Sequence, residues 1–149
     1  ALGKITHYAP NFPVSAALGC TMFNDPWNPS SYEVKEWAYT IGAIEPCQDW
    51  DLSLAWVGFE DDFIGYASDA SCPNADYFLH KLYFMVGDSV RSKFNSTHES
   101  SVREFIKLGY ASKNHKVRLW AQRATNLINH PEAFDYESWC GGQLAKSAT

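Results

Sequence analysis

The sequence predicts an all-α protein, a compact helical bundle of about five to seven helices. Apolar side chains recur at i, i+3, i+4 and i+7 from Tyr32 onward, the spacing of helices with one buried face. Capping residues, glycines and prolines separate these segments. The 149 residues are 46% hydrophobic and 15% aromatic, so we expect a single helical domain over 1–149 with one core.

The first 29 residues are predicted to be irregular. Four of the seven prolines lie there, and their spacing resists long helices. We expect at most one short helix, over residues 14–23.

A first regular helix is expected after Pro29. Ser30 and Glu33 form a capping-box pattern, and Gly42 is placed to end the helix. The predicted apolar face is Val34, Trp37, Ala38 and Ile41.

A second helical segment follows Pro46 and runs to about Ala67. Gly58 and the acidic run 60–62 are expected to break it into two pieces. Its apolar positions are Leu52, Ala55, Trp56, Phe59, Phe63 and Tyr66.

The clearest helix follows Pro73 and Asn74. Asp76 in its first turn and Arg91 in its last suit the helix dipole. Over about five turns one side is lined by Leu79, Leu82, Tyr83, Val86, Val90 and Phe94.

Two shorter helices are predicted next. Capping boxes at Ser96 and Ser101 start the first, and Gly109 ends it; the second starts after Ser112 or Asn114. The inner face of the first is Val102, Phe105, Ile106 and Leu108. The apolar stripe of the second is Val117, Trp120, Ala121, Ala124, Leu127 and Ile128.

After Pro131 the chain offers an aromatic trio that could dock on the core: Phe134, Tyr136 and Trp139. The pair Gly141-Gly142 is expected to release the chain, so residues 141–149 are predicted to fray.

Residues 99–131 resemble one helix pair of a HEAT or armadillo repeat. The second helix carries the resemblance through Val117-Arg118, Ala121, Ala124 and Leu127. Such a likeness implies HEAT-like antiparallel packing and a protein-binding scaffold rather than a catalytic pocket. No second copy occurs at a period of roughly 40 residues, which favours a bundle over a solenoid.

Charge is unevenly distributed along the chain. The net charge is −5, but residues 1–80 carry two basic and eleven acidic side chains, while residues 81–149 carry ten basic and six acidic. Such asymmetry favours a dipolar surface that steers a charged partner, although ordinary solvated helix faces also explain it.

Carboxylates interleaved with large aromatic residues mark the candidate partner-binding surface. Such a surface could meet a basic protein partner, with the aromatic rings as anchors. The alternative is a solvated acidic face above core aromatics. The predicted partner-binding residues are Asp49, Trp50, Asp51, Glu60, Asp61 and Asp62.

The leading functional hypothesis is a protein–protein binding module. One concrete version is an immunity or antitoxin-like inhibitor that captures a basic nuclease toxin. A rival hypothesis is a small hydrolase or lyase that uses Asp76, His80 and a third group supplied by the fold. A third is a structural subunit of a larger assembly, since the sequence leaves the oligomeric state open.

Several classes of function are disfavoured. No P-loop, G-x-G-x-x-G or G-x-S-x-G motif occurs, so we expect no cofactor and no metal, and assign no catalytic residue. No apolar run reaches the roughly 18–20 residues that span a membrane. The basic stripe of residues 103–123 is ordinary for an amphipathic helix, so nucleic-acid binding is not favoured. Four scattered cysteines indicate reduced thiols in the cytoplasm, with two disulfides in a secreted form as the alternative.

Overall fold

The computed structural model describes residues 22–148, and this part of the chain is helical with no strand, as predicted. Five helices have eight residues or more, and three have four residues. The helix expected over 14–23 lies largely outside the described residues. The α-helices are α1 (Ser31–Ala38), α2 (Trp50–Ser53), α3 (Asp61–Ser68), α4 (Ala75–Arg91), α5 (Glu99–Tyr110), α6 (His115–Asn129), α7 (Tyr136–Trp139) and α8 (Gln143–Lys146), with a 3₁₀ turn at Pro131–Ala133.

Helix α4 is the centre of the bundle. It packs against α3, α6, α7 and α8, and more lightly against α5. Because helices surround it, its buried side chains occupy more than the single predicted stripe and include Phe78 and Met85. Helices α5 and α6 also pack against each other across a short connection, so the predicted helix pair is present. Its HEAT-like geometry stays a prediction.

The capping box of α1 is confirmed. The Ser30 hydroxyl accepts from the Glu33 amide at 3.2 Å, and the Glu33 carboxylate accepts from the Ser30 amide at 3.0 Å. The helix ends at Ala38, however, so the prediction that Ile41 continues its buried face is wrong; Ile41 is 86% exposed. The side-chain amide of Asn74 donates to the carbonyls of residues 37, 38 and 40, which satisfies the end of the helix from outside.

The predicted break between α2 and α3 is confirmed. Trp56 and Gly58 both adopt left-handed backbone conformations, with φ of 55° and 97°, so the chain cannot continue as one helix. Leu52 points outward and is 54% exposed, which contradicts its predicted place on the apolar face.

Helix α5 begins at Glu99 without a side-chain cap, so neither predicted capping box forms. Gly109 lies inside this helix rather than at its end. Its role is close packing, because a β-carbon there would lie 2.6 Å from the Trp120 ring of α6. Leu108, predicted to face inward, is 43% exposed.

The end of the chain differs from the predicted frayed tail. Gly142 has a φ of 85° and turns the chain into α8, which packs on α4 and α7. Ala148 is 1% exposed and Trp139 is 5% exposed, so the apolar residues flanking the glycine pair anchor residues 143–148 on the core.

Among the helices of residues 22–148, none combines the length and the apolar character needed to cross a bilayer.

Candidate functional site

The six predicted partner-binding residues fall into two groups with different surroundings. Trp50 belongs to the core and not to the surface: it is 0% exposed and packs against the rings of Phe23, Trp37 and Tyr77. This is a correction to the predicted surface. Trp50, which was predicted to contact a partner, instead packs in the interior against α1.

Asp49 and Asp51 flank this buried ring in the sequence, and the backbone of Asp51 contacts an unexpected partner, Lys81 of α4. Lys81 is 3% exposed, its amine donates to the backbone carbonyl of Asp51, and it lies 4.5 Å from the centre of the Phe84 ring. Burial lowers the pKa of Lys81 to about 8, an effect partly offset by the negative charges of Asp51 and Glu45. The chain at Asp51 therefore contacts a buried base.

Sequence analysis did not single out Lys81. It was counted with the basic half of the chain, although a lysine between Leu79 and Val86 interrupts the most apolar stretch of α4. Nearby, burial raises the pKa of the Glu45 carboxyl and of the Tyr77 hydroxyl. The buried amine of Lys81 therefore has other ionisable groups near it, the exposed Glu45 and the half-buried Tyr77.

Two members of the second group, Glu60 and Asp61, line a groove between the start of α3 and helix α5. The groove has a volume of about 590 Å³. We call it the acidic–aromatic groove; its principal residues are Trp56, Glu60, Asp61, Glu104, Phe105 and Leu108. It thus contains two of the six predicted residues, while Asp62 is exposed but outside its lining.

The aromatic side of the groove is continuous with the core. The Trp56 ring meets Phe105 edge-on at 5.4 Å between ring centres, and Phe105 meets the buried Trp120 at 5.5 Å. Leu108 adds exposed apolar surface. Trp56 itself is half-buried, so one part of the indole rests on the protein and the rest faces the groove.

The rim of the groove carries an excess of negative charge. Three carboxylates line it, and the Glu60 carboxylate is held in place by the Gly58 amide at 2.7 Å. Lys107 approaches Glu104 at 2.7 Å, but both side chains are about two-thirds exposed, so this ion pair is weak and screened by solvent. The groove is therefore acidic, with an apolar floor.

A separate cleft brings together Asp76 and His80, the pair considered for an enzyme. Both line a space of about 560 Å³ with Lys116, Lys146 and the Gly141-Gly142 turn. The His80 Nε2 atom lies 3.2 Å from the Cys140 carbonyl oxygen. Because a carbonyl only accepts, Nε2 carries the proton in this contact and Nδ1 is the nitrogen that can exchange one.

The described cysteines are poor candidates for a nucleophile. Cys47, Cys72 and Cys140 form no disulfide within residues 22–148, and the Cys72 thiol donates to the Ala38 carbonyl at 3.2 Å. Burial raises the pKa of Cys140 to about 11 and also raises that of the other two, which disfavours the reactive thiolate. Cys20 lies outside the described residues.

No protein-family model, curated protein or solved structure matches this chain.

Proposed function

We propose that this protein is a protein-binding module whose acidic–aromatic groove receives a basic segment of a partner protein. The observation that carries the proposal is Trp56, a half-buried indole in a left-handed backbone conformation at the apolar side of an acidic groove. The partner is expected to place an apolar side chain against the indole and its cationic groups against the rim.

The backbone at Trp56 is the first support. A left-handed conformation is unfavourable for a large residue by roughly 1–2 kcal/mol. Glycine would adopt it without that cost, as Gly58 does two residues later. Strained residues cluster at functional sites, where the side chain they position compensates for the strain. Here the positioned group is an aromatic ring, the side-chain class enriched in binding hot spots.

Charge is the second support, and it sets the chemistry of the partner. Glu60, Asp61 and Glu104 surround the apolar floor, and Lys107 is the one lysine paired with them within the described residues. Rim carboxylates of this kind accelerate encounter with a basic partner and reject acidic ones. The serine and threonine hydroxyls at 97, 100 and 101 provide further polar contacts along the same edge.

A finer version of the proposal is an immunity or antitoxin-like inhibitor of a basic nuclease, acting in the cytoplasm. Its support is the match between the acidic groove and the basic surface that nucleic-acid enzymes use to bind phosphates.

The test uses the purified chain as bait for proteins from its native source. Three baits are compared: the wild type, the groove variant Glu60→Lys/Asp61→Lys, and the matched control Glu36→Lys/Glu132→Lys, which changes net charge equally at exposed sites away from the groove. A partner retained by the wild type and the control but lost by the groove variant supports the proposal. Recovery of the same proteins by all three baits, or of no stable partner, contradicts it.

A fourth bait separates binding from folding. Trp56→Gly removes the indole and also relieves the left-handed strain, so we expect stability to be kept while affinity falls by about tenfold or more. If Trp56→Gly binds as tightly as the wild type, the indole is not an anchor and the proposed role of the groove fails.

The alternative of a small hydrolase or lyase is favoured by one observation, the shared cleft of Asp76 and His80. Its test is turnover of chromogenic esters, amides and phosphoesters by the wild type, with His80→Gln as the control. Hydrolysis that survives this substitution would remove His80 from the chemistry.

A further inference from the structure

The Asp76–His80 cleft combines residues from four parts of the chain. Asp76 and His80 come from the first two turns of α4, Lys116 from the first turn of α6, and Lys146 from α8. The remaining wall is the turn at Gly141-Gly142. A volume of about 560 Å³ is in the range of small-molecule sites.

Two lysines line this cleft, and neither forms an ion pair there with another described residue. Within residues 22–148, neither Lys116 nor Lys146 has a carboxylate within 4.0 Å, although Asp76 lines the same space. Two positive charges on the walls of one concave site outnumber the single negative charge of Asp76, so the cleft favours an anionic ligand.

The end of the chain is arranged to form this site. Gly142 is buried, with a φ of 85°, a conformation that disfavours other residues. Its turn leads into α8, which carries Lys146 to the cleft. A β-carbon at position 142 would lie 3.5 Å from the His80 Nε2 atom, in ordinary contact with the ring. Glycine therefore both permits the turn and keeps the space beside the histidine open.

His80 is held in one orientation within the cleft. Its Nε2–H donates to the Cys140 carbonyl at 3.2 Å, so the ring is tied to the same turn that closes the site. The side chain of Asp76, one turn earlier on α4, is exposed. The cleft is therefore lined by two lysines, one oriented imidazole and one carboxylate that can accept hydrogen bonds from a ligand.

We propose that this cleft binds a small anion, a carboxylate or phosphate group held between Lys116 and Lys146. Asp76 accepts from a hydroxyl or amino group on the same ligand. The site is distinct from the acidic–aromatic groove and does not depend on protein binding there. If the hydrolase or lyase activity exists, its substrate would carry the same anionic group. The experiment measures binding rather than turnover, so anion binding and catalysis are tested separately.

The experiment is an NMR titration of the ¹⁵N-labelled full chain with inorganic phosphate and, separately, with succinate, at constant ionic strength. Amide signals of residues 116, 141, 142 and 146 are expected to shift together with saturation. Signals of Ser100 and Ser101 in the acidic–aromatic groove serve as the internal reference and should not move.

Variants distinguish a built site from general attraction to lysines. Lys116→Gln and Lys146→Gln should each weaken phosphate binding about tenfold, the size expected for loss of one charge-assisted contact. The matched control Lys113→Gln removes an exposed lysine three residues from Lys116 and should change nothing. Asp76→Asn should strengthen phosphate binding, because it removes the one negative charge of the cleft.

This opposite sign keeps the test informative even if one variant folds poorly, since damage to the fold weakens binding in every case. Equal losses in Lys113→Gln and Lys116→Gln would show an adventitious ion only. The proposal is overturned by that result, by shifts scattered over the surface, or by the absence of saturable binding of both probes.

Discussion

Lys81→Met tests whether the buried lysine beneath the acidic segment is charged at neutral pH. Methionine keeps most of the length of the side chain and removes its charge and its hydrogen bond to the Asp51 carbonyl. At pH 7 the substitution should change the free energy of unfolding little. Removing the buried charge is favourable and losing the hydrogen bond is unfavourable, so the two effects nearly cancel. The informative quantity is the pH dependence of the difference between the two proteins.

The size of this dependence follows from the pKa of Lys81, which burial lowers from 10.5 to about 8. Below pH 8 both folded and unfolded chains hold the proton, and the full cost of the buried charge is present. Between pH 8 and 10.5 the unfolded chain binds more protons at this site, so the free energy of unfolding rises with pH. The full rise is about 3 kcal/mol, of which about 1.3 kcal/mol falls between pH 7 and pH 9.

The assay is urea unfolding of the wild type and Lys81→Met at several pH values from 7 to 9. The ordinary pKa of the Glu45 carboxyl, 4.5, lies below this range; burial raises it and the charge of Lys81 lowers it. The raised pKa values of the three described cysteines act against stability in the same range, but they are common to both proteins and largely cancel in the difference.

We expect the free energy of unfolding of the wild type to rise steadily from pH 7 to pH 9 relative to that of Lys81→Met. Lys107→Met, which removes an exposed lysine, is the matched control and should run parallel to the wild type. A difference between the wild type and Lys81→Met that does not change from pH 7 to 9 would refute the claim that burial holds the pKa of Lys81 low.

Three further predictions concern the packing of the bundle, and each is measured by urea unfolding at pH 7. Gly109→Ala should destabilise the protein by about 1–3 kcal/mol, because the new methyl group meets the Trp120 ring. The control Gly65→Ala, at an open helical position, should stabilise it by about 0.5–1 kcal/mol. Equal effects of the two substitutions would contradict the close approach of Gly109 to Trp120. Ser30→Ala should cost about 1 kcal/mol through loss of the capping box, and no loss would show that the cap is not needed. Asn74→Ala should cost about 1–3 kcal/mol, and Asn74→Asp more, because a carboxylate would face three carbonyl oxygens; the reverse order would contradict the donor role of Asn74.

Helices were predictable where one unbroken buried stripe defined them. In α6, all six predicted apolar positions are buried, because its neighbours cover a single face. The errors occur at Ile41, Leu52 and Leu108, which continue a helical spacing but face solvent. Spacing records which residues share a face, but not where a helix stops. Helix α1 stops where Asn74, more than thirty residues away, supplies donors to its last carbonyls.

The candidate site was predictable only in part, for a related reason. Acidic residues lie near both tryptophans in the sequence: 49 and 51 beside Trp50, and 60–62 shortly after Trp56. Trp50 nevertheless belongs to the core, while Trp56 lines a groove. Composition cannot distinguish these outcomes, because the side to which a ring turns depends on the backbone of short, irregular connections. Trp56 adopts a left-handed backbone conformation, which the conformational propensity of tryptophan does not favour.

The uneven distribution of charge along the sequence does not carry over directly to the folded structure. Lys81 comes from the basic half of the sequence, but it is buried and donates to the backbone carbonyl of Asp51 in the acidic half, so the two halves meet at this point. Separation of charge along the chain is therefore not the same as separation in space. The charges of Asp51 and Glu45 favour the protonated amine and partly offset the cost of its burial. The acidic–aromatic groove is one place where carboxylates lie together at the surface. For the partner that we propose, we expect the affinity to depend more on Trp56 than on the net charge of the protein.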